Sequence, residues 1–550
     1  MLDKFIRVTK KYFADSEKAD PQWATPANFH QSKLLDPAGA MLAKSANNYL
    51  RAKSNEHVLV VGPCRSGKTA GVAIPTLLSY EDSVVVLDVS QEKYDLTAGY
   101  RRDVLGQEVY IFSPLSDCGL GENLEVKSHR YNPLSSISNN KIKRLRDIFS
   151  IASVIWPSGG KDSFWNDSAR NLFAAVVLFL LETRDQREKE GVESRLPDAP
   201  VNMSQVLWQV IGLHSEPTRQ EYFANLLERH HFLSEDCVRL FNGFCSTPKQ
   251  SQGAIVAQFT VPLKIFRDPG VQLATSTSDF NLADIRKKKM SIYISCLPYE
   301  VDKFGLLSRL IYSELIGSNK ENHLEEGNIS CLLLMDDFTS IGKVDAIIEH
   351  GNFMLNKGLS LLAICQSTKQ LEMVYGLNSQ DILKGIATIK VLFKGYEDGF
   401  VPLITRQDLM GLDRSQALIL TAHEKPILCS RIEYFNEQIF LKRLLPPPSI
   451  PALSIGNIKK APLTTQKNNP EINSPWNVHA HPLKRISIVA QCTRHGTRES
   501  LIAQLELALK RLKEGLSNGC EHDDDFGYFI KTEEDLRVSV FGTNPAGHHQ

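Results

Sequence analysis

The run GPCRSGKT, Gly62 to Thr69, has the residue types and spacing of a phosphate-cradling Walker A loop. Successive backbone N–H groups of such a loop turn inward around phosphate oxygens. Gly62 and Gly67 supply the backbone freedom and close approach that a side chain would block, with Pro63, Cys64, Arg65 and Ser66 forming the turn between them. Lys68 is then placed to reach the β and γ phosphates of a nucleoside triphosphate, and the Thr69 hydroxyl to hold Mg²⁺. The chemistry also requires a carboxylate at the tip of a neighbouring strand, to order the metal and polarise water. CLLLMDDF supplies one: Cys331 to Met335 reads as a buried strand ending in Asp336 and Asp337. Asp336 is expected to be the magnesium-associated carboxylate and Asp337 the base for an attacking water; the plainer reading of the pair is a helix cap. ATP and Mg²⁺ are therefore the expected cofactors.

Elements of the right kind surround these residues. The apolar run His57 to Val61 leads into the glycine-rich loop, and AGVAIPTLLSY after it has helical spacing, so strand, phosphate loop and helix follow one another. Ser83 to Leu87, ending at Asp88, and Glu108 to Phe112 read as further strands; alternation with helical patterns predicts a mostly parallel α/β sheet. From about Lys141 to Phe266 the period changes to 3.6 and β-branched clusters thin out, which predicts an all-α insertion over 136–269. Strand-like runs return at Ser291 to Cys296, Ile329 to Met335, Ser360 to Cys365 and Thr388 to Phe393. The sheet domain thus spans 56–135 and 270–445, preceded by an N-terminal segment, 1–55. Three successive prolines at Pro446 to Pro448 remove backbone donors and fix φ, so 446–482 reads as a linker to a small α/β module at 483–550.

With 550 residues the chain exceeds the size of one hydrophobic core. Lys and Arg balance Asp and Glu at 63 each, so net charge argues neither for nor against a nucleic-acid partner. Basic clusters at Lys141 to Arg146 and Arg286 to Lys289 would suit phosphate backbones, although charge runs are usually solvated faces. The ten cysteines show no metal or disulfide spacing. Acidic EHDDD, Glu521 to Asp525, lacks the calcium-loop pattern. The longest apolar helix candidate, Leu172 to Leu181, is about half of a membrane span, and the opening MLDKFIRVTKKYF lacks a signal-peptide core but has the two faces of an interfacial helix. A cytoplasmic location follows, with membrane contact through partners or through that N-terminal helix at the inner membrane.

Taken in order, HVLVVGPCRSGKTAGVAIPTLL, SVVVLDVSQEKYDLTAGYRR, RYNPLSSI, DSFWNDSARNL, LLLMDDFTSIGKV, LAICQSTKQLEMVYG and TRQDLMGLDRSQALILTAHEKPIL resemble the TraG/TraD family of type IV coupling proteins, over about residues 56 to 440. The resemblance implies a RecA-like P-loop ATPase interrupted by an all-α domain and assembled as a hexamer. It implies partners that include DNA or a relaxase–DNA complex and other conjugation proteins. It also places a hydrolysis-sensing glutamine at Gln366, and matches an aromatic pair at Phe164 and Trp165, which reads as core. Family members usually carry glutamate where Asp337 stands, and some carry an arginine finger where this chain has MLNKG, with Lys357 the nearest cation in sequence. The expected function is an ATP-hydrolysing coupling protein for a conjugative type IV secretion system. The alternatives are a DNA-pumping motor of the FtsK/HerA type and a nucleotide-dependent adaptor with little hydrolysis.

Overall fold

A computed structural model describes residues 34–45, 48–53, 55–118, 125–159, 162–190, 200–212, 218–318, 329–394, 411–421, 425–454, 483–492, 498–514, 518–522 and 526–536. The opening interfacial-helix segment and Asp523 to Asp525 lie outside them. The chain divides into two compact units, Met1–Ile458 and Lys459–Gln550.

The strands, in chain order, are β1 (Met41–Ser45), β2 (Asn48–Arg51), β3 (Val58–Val61), β4 (Ser83–Val89), β5 (Glu108–Phe112), β6 (Asp117–Cys118), β7 (Glu125–Lys127), β8 (Met290–Cys296), β9 (Cys331–Met335), β10 (Leu359–Cys365), β11 (Ile389–Phe393), β12 (Gln416–Thr421), β13 (Ile427–Ser430), β14 (Ala452–Ser454), β15 (Leu483–Cys492), β16 (Asn518–His522) and β17 (Phe526–Leu536). An 11-stranded sheet runs β2-β1-β13-β12-β11-β3-β10-β9-β4-β8-β5. From β11 to β5 every pairing is parallel, whereas β12, β13, β1 and β2 extend one edge in antiparallel fashion.

The parallel strands are near-continuous apolar runs because both sheet faces are covered. Alternation decides which face each residue serves. Leu59, Val61, Val85, Leu87, Leu333, Met335, Leu361 and Ala363 enter one core, while Val58, Val60, Val84, Val86, Leu332, Leu334, Leu362 and Ile364 enter the other. The second face is covered by Val72, Ala73 and Leu77 after the phosphate loop and by Tyr94 and Ala98 of the helix Glu92–Asp103. The first face is continuous with the core of the helices between Lys141 and Ala274, among them the 28-residue helix Ser163–Glu190. The helical segment and the sheet therefore share one apolar interior. Trp165 packs against it, but Phe164 is 59% exposed, which corrects its reading as core.

The helix after the phosphate loop begins as a π-helical turn, Thr69–Ala73, before becoming α-helical at Ile74–Leu77. Pro75 has no N–H to give Gly71 and its ring crowds that carbonyl, so the wider turn ahead of it accommodates the missing bond. Arg101 is fully buried without a carboxylate. Its guanidinium donates to Ser291 Oγ, Gln107 Oε1 and the carbonyls of Leu77, Tyr80 and Asp82 at 2.6–2.9 Å, joining the end of one helix to the next strand.

The proline-rich run is not the free linker expected from Pro446 onward. Tyr94 donates its hydroxyl to Pro448 O (2.9 Å), Ser128 N donates to Pro451 O (3.0 Å), and β14 pairs with β7. Proline lacks a donor but keeps its carbonyl, so the run is held as an acceptor. Gly99 marks the close approach, since a Cβ there would meet the carbonyls of Leu445 and Pro446. In the second unit β15, β17 and β16 form an antiparallel sheet, with the helix Arg498–Lys513 between β15 and β16 in sequence.

A chain ending at Leu445 is expected to be about 2–3 kcal/mol less stable than one ending at Ser454, because it loses this strap. Equal urea midpoints for the two would show that the strap contributes nothing. A second expectation concerns Glu314, half-buried beside Tyr131 and Ser136, whose carboxyl desolvation pushes up from 4.5 to about 7 despite those hydrogen bonds. Between those values the unfolded chain ionises first, so stability falls as pH rises through the window, by about 3 kcal/mol from this group. Glu314→Gln should remove that part of the slope, and identical pH profiles of urea stability for variant and parent would refute it.

Candidate nucleotide and metal site

Four neighbouring strands, β3, β10, β9 and β4, deliver the site residues at their carboxyl ends, where open parallel sheets bind ligands. The loop Gly62–Thr69 leaves β3, Gln366 follows β10, Asp336 and Asp337 follow β9, and Asp88 lies at the end of β4. All four non-glycine residues with left-handed φ among the described residues lie at these same ends: Arg65 (59°), Ser90 (102°), Gln91 (64°) and Asp337 (56°). Such conformations cost about 1–2 kcal/mol each and persist where surroundings over-determine them.

The phosphate loop folds around Lys68, which is 7% exposed and donates its ammonium to Gly62 O (2.6 Å) and Pro63 O (2.8 Å). Burial lowers its pKa, opposed by the charges of Asp336 and Asp337. Pro63, Cys64 and Arg65 are exposed at the tip, and Ser66 and Gly67 are half-buried. A Cβ at Gly62 would meet Phe393 and Ser66, and one at Gly67, whose φ is +86°, would collide with Arg431. Arg431 itself, just after β13, donates Nη1 to Ser66 O (3.0 Å) and pairs with Glu433. It fixes the loop from the antiparallel edge of the sheet.

Thr69 donates its hydroxyl to Asp336 Oδ2 at 2.7 Å, so the expected metal-holding pair is in contact. A hydroxyl and a buried carboxylate are the hard oxygen donors that Mg²⁺ takes beside substrate phosphates and water, so the residues present fit the ion. Asp337 has a left-handed backbone, and Gln366 Nε2 donates to its Oδ1 at 3.4 Å. Lys68, Thr69, Asp336, Asp337 and Gln366 therefore converge on one edge. Lys357 does not: it lies in the turn Leu355–Lys357 at the amino end of β10, across the sheet from the site of its own chain.

The sequence reading missed two residues besides Arg431. Lys93 is 3% exposed, with Nζ 3.0 Å from Asp336 Oδ2 and 3.4 Å from Asp88 Oδ1. Burial works against its charge, but Asp336 and Asp88 outweigh it and hold the ammonium well above its ordinary pKa. Asp88, wholly buried, also accepts from the backbone N–H of Lys93 (3.2 Å) and Tyr94 (2.8 Å), capping their helix from outside. Both stand in the run SVVVLDVSQEKYDLTAGYRR, where nothing local links an Asp to a Lys five residues on. The basic cluster Arg286 to Lys289 is neutralised: Lys287, Lys288 and Lys289 pair with Asp284, Glu108 and Asp82, and Arg286 is 2% exposed. In the other cluster Arg144 is buried on Asp185, while Lys141, Lys143 and Arg146 are exposed. Among the described residues there is no cluster of three or more metal-ligating side chains, and no helix long and apolar enough to cross a membrane.

Solved structures share this architecture. The plasmid coupling protein TrwB in complex with the non-hydrolysable ATP analogue ADPNP superposes with a TM-score of 0.54 at 16% identity, over 75% of this chain and 93% of its own. Its truncated unbound form gives 0.52 at 14% identity, over 74% and 91%. That likeness shows a RecA-like P-loop fold. In sequence the chain is similar to the protein VirD4 of Rhizobium radiobacter, 30% identical over 54% of this chain and 40% of that one. It is also similar to the conjugal transfer protein TraG of Escherichia coli, 26% identical over 59% of this chain and 50% of that one. The chain thus spans at most half the length of these two relatives. The family model for type IV secretory system conjugative DNA transfer matches residues 22–399, and with the motif order and the fold in agreement, the chain belongs to that family.

Proposed function

We propose that this protein binds and hydrolyses ATP and uses the cycle to deliver DNA, or a relaxase–DNA or protein substrate, to a conjugative type IV secretion machine, working as a hexameric ring. The observation that carries the reading is the convergence of Lys68, Thr69 and Asp336 on one side and Asp337 with Gln366 on the other, at the carboxyl edge of the sheet. The membership of the chain and the analogue-bound TrwB neighbour support it.

The chain's own residues divide the work. Backbone N–H groups between Cys64 and Thr69 receive the phosphates, and Lys68 exchanges its bonds to Gly62 O and Pro63 O for phosphate oxygens. Thr69 and Asp336 would hold Mg²⁺, which would supply charge neutralisation on the transferring phosphoryl group. Asp337 takes the proton of the attacking water, and Gln366, hydrogen-bonded to it, reports whether the γ-phosphate is present. A ring of such subunits grips DNA by its phosphates and not by base edges. No arginine follows from the MLNKG segment to complete the site, so turnover is expected to be slow until DNA and assembly stimulate it.

Lys68→Ala should abolish the thermal shift produced by saturating Mg-ATP, and an unchanged shift would remove the phosphate-loop assignment. Asp336→Asn should weaken Mg-dependent nucleotide binding itself. Asp337→Asn should leave binding within a factor of about two while cutting turnover by about 10²-fold or more. Preserved turnover in Asp337→Asn would show that it is not the base. Delivery is read by ATPase rates with and without single-stranded DNA, where stimulation that falls steeply between about 50 and 200 mM salt is expected. A rate indifferent to DNA would favour protein cargo alone.

A further inference from the structure

Lys93 belongs to no part of the mechanism above, yet it occupies the middle of it. Its ammonium touches Asp336 through Oδ2, the oxygen that also accepts the Thr69 hydroxyl. It has an alternative partner, since Asp88 Oδ1 lies 3.4 Å from the same nitrogen. The position is built. Ser90 and Gln91 both adopt left-handed φ, which swings the chain off β4 so that its next helix starts with Lys93 N and Tyr94 N aimed at Asp88. Lys68, the other buried ammonium near these carboxylates, is instead committed to the carbonyls of its own loop.

An ammonium and a divalent cation repel each other, so they compete for one carboxylate oxygen at close range. Resting on the assignment of Thr69 and Asp336 to Mg²⁺, we propose that Lys93 is a resident cation of the metal site, neutralising Asp336 while no metal is bound and withdrawing onto Asp88 when metal and nucleotide arrive together. It is a positioning residue: it touches the metal ligand and not the reacting phosphate. Two consequences follow. The empty site does not load a free divalent cation, because Asp336 is already neutralised, and only the added charge of the triphosphate displaces Lys93. The balance between Asp88 and Asp336 then sets how much Mg²⁺ is needed to bind nucleotide.

The test titrates Mg²⁺ into the full chain with a fluorescent, non-hydrolysable ATP analogue and reads the half-saturating metal concentration. Asp88→Asn keeps a cap acceptor but leaves Lys93 with Asp336 alone, so the midpoint should rise about tenfold. The paired variant Lys93→Met with Asp88→Asn removes one charge of each sign, so the net charge of the site is kept while Asp336 loses its resident cation, and its midpoint should fall about tenfold. Binding of Mn²⁺ to the nucleotide-free protein, followed by electron paramagnetic resonance, should appear in the paired variant at concentrations where the parent shows none. Midpoints that stay put, or that move in the same direction in both variants, overturn the role of Lys93. Nucleotide binding by the parent that ignores Mg²⁺ altogether would instead sink the assignment of Thr69 and Asp336.

Discussion

Two carboxylates stand at the carboxyl ends of adjacent parallel strands, and nearly everything around the site answers to the need to keep them there. β4 and β9 are in register, Leu87 beside Met335, so Asp88 and Asp336 emerge side by side in an interior from which water is excluded. Two buried carboxylates so placed stay ionised together only with a cation between them. Lys93 provides it, and the start of the helix Glu92–Asp103 is where it must be for that reason. The same helix carries Arg101, which ties the end of the preceding helix to β8, and Tyr94, which holds the strap from Pro446 to Ser454. A charge requirement at the site is thereby transmitted to the outer layer of the fold.

Backbone strain is distributed in the same pattern. Among the described residues, the four left-handed non-glycine ones all sit where a parallel strand gives way to a site loop. Each lets the chain reverse sharply enough to bring a side chain or N–H group over the strand ends, and the doubly covered sheet beneath holds the conformation in place. Glycine does the equivalent work at Gly67, where Arg431 occupies the volume that a Cβ would need. Arg431 comes from the antiparallel edge, so that edge also bears on the phosphate loop.

Much of this was legible in the sequence, for identifiable reasons. Strands buried on both faces are written as unbroken apolar runs, so β3, β4, β8, β9 and β10 announced themselves, and the glycine-lysine-threonine spacing admits few structural contexts. Of the antiparallel strands, β1 and β2 mix polar with apolar residues, and nothing local to β12 or β13 marks their pairing. Lys93 and Arg431 stayed hidden because groups they meet come from distant parts of the chain: Asp336 lies more than two hundred residues from Lys93 in sequence, and Ser66 even further from Arg431. The proline run misled in an instructive way. Lack of donors excludes a central strand, but it does not exclude being held through carbonyls, which is how Pro448 and Pro451 are bound.

The aspartate at position 337 shows how the backbone decides between side chains that chemistry alone would treat alike. From the sequence its departure from the family's usual glutamate reads as a shortened reach. In the structure its φ is 56°, in the left-handed region, where aspartate and asparagine are tolerated because their short polar groups bond locally. Its N–H donates to Asp336 Oδ1 at 3.1 Å, closing the turn onto the very carboxylate proposed to hold the metal. Gln366 then meets Asp337 at 3.4 Å from the adjacent strand β10, and Gln370 meets Gln366 at the same distance. The shorter side chain is thus matched to a tight turn and to an amide that comes forward to meet it. What the carboxylate loses in length is set against a backbone that aims it, and the position is better understood as a coupled set of turn, amide and acid than as a truncated glutamate.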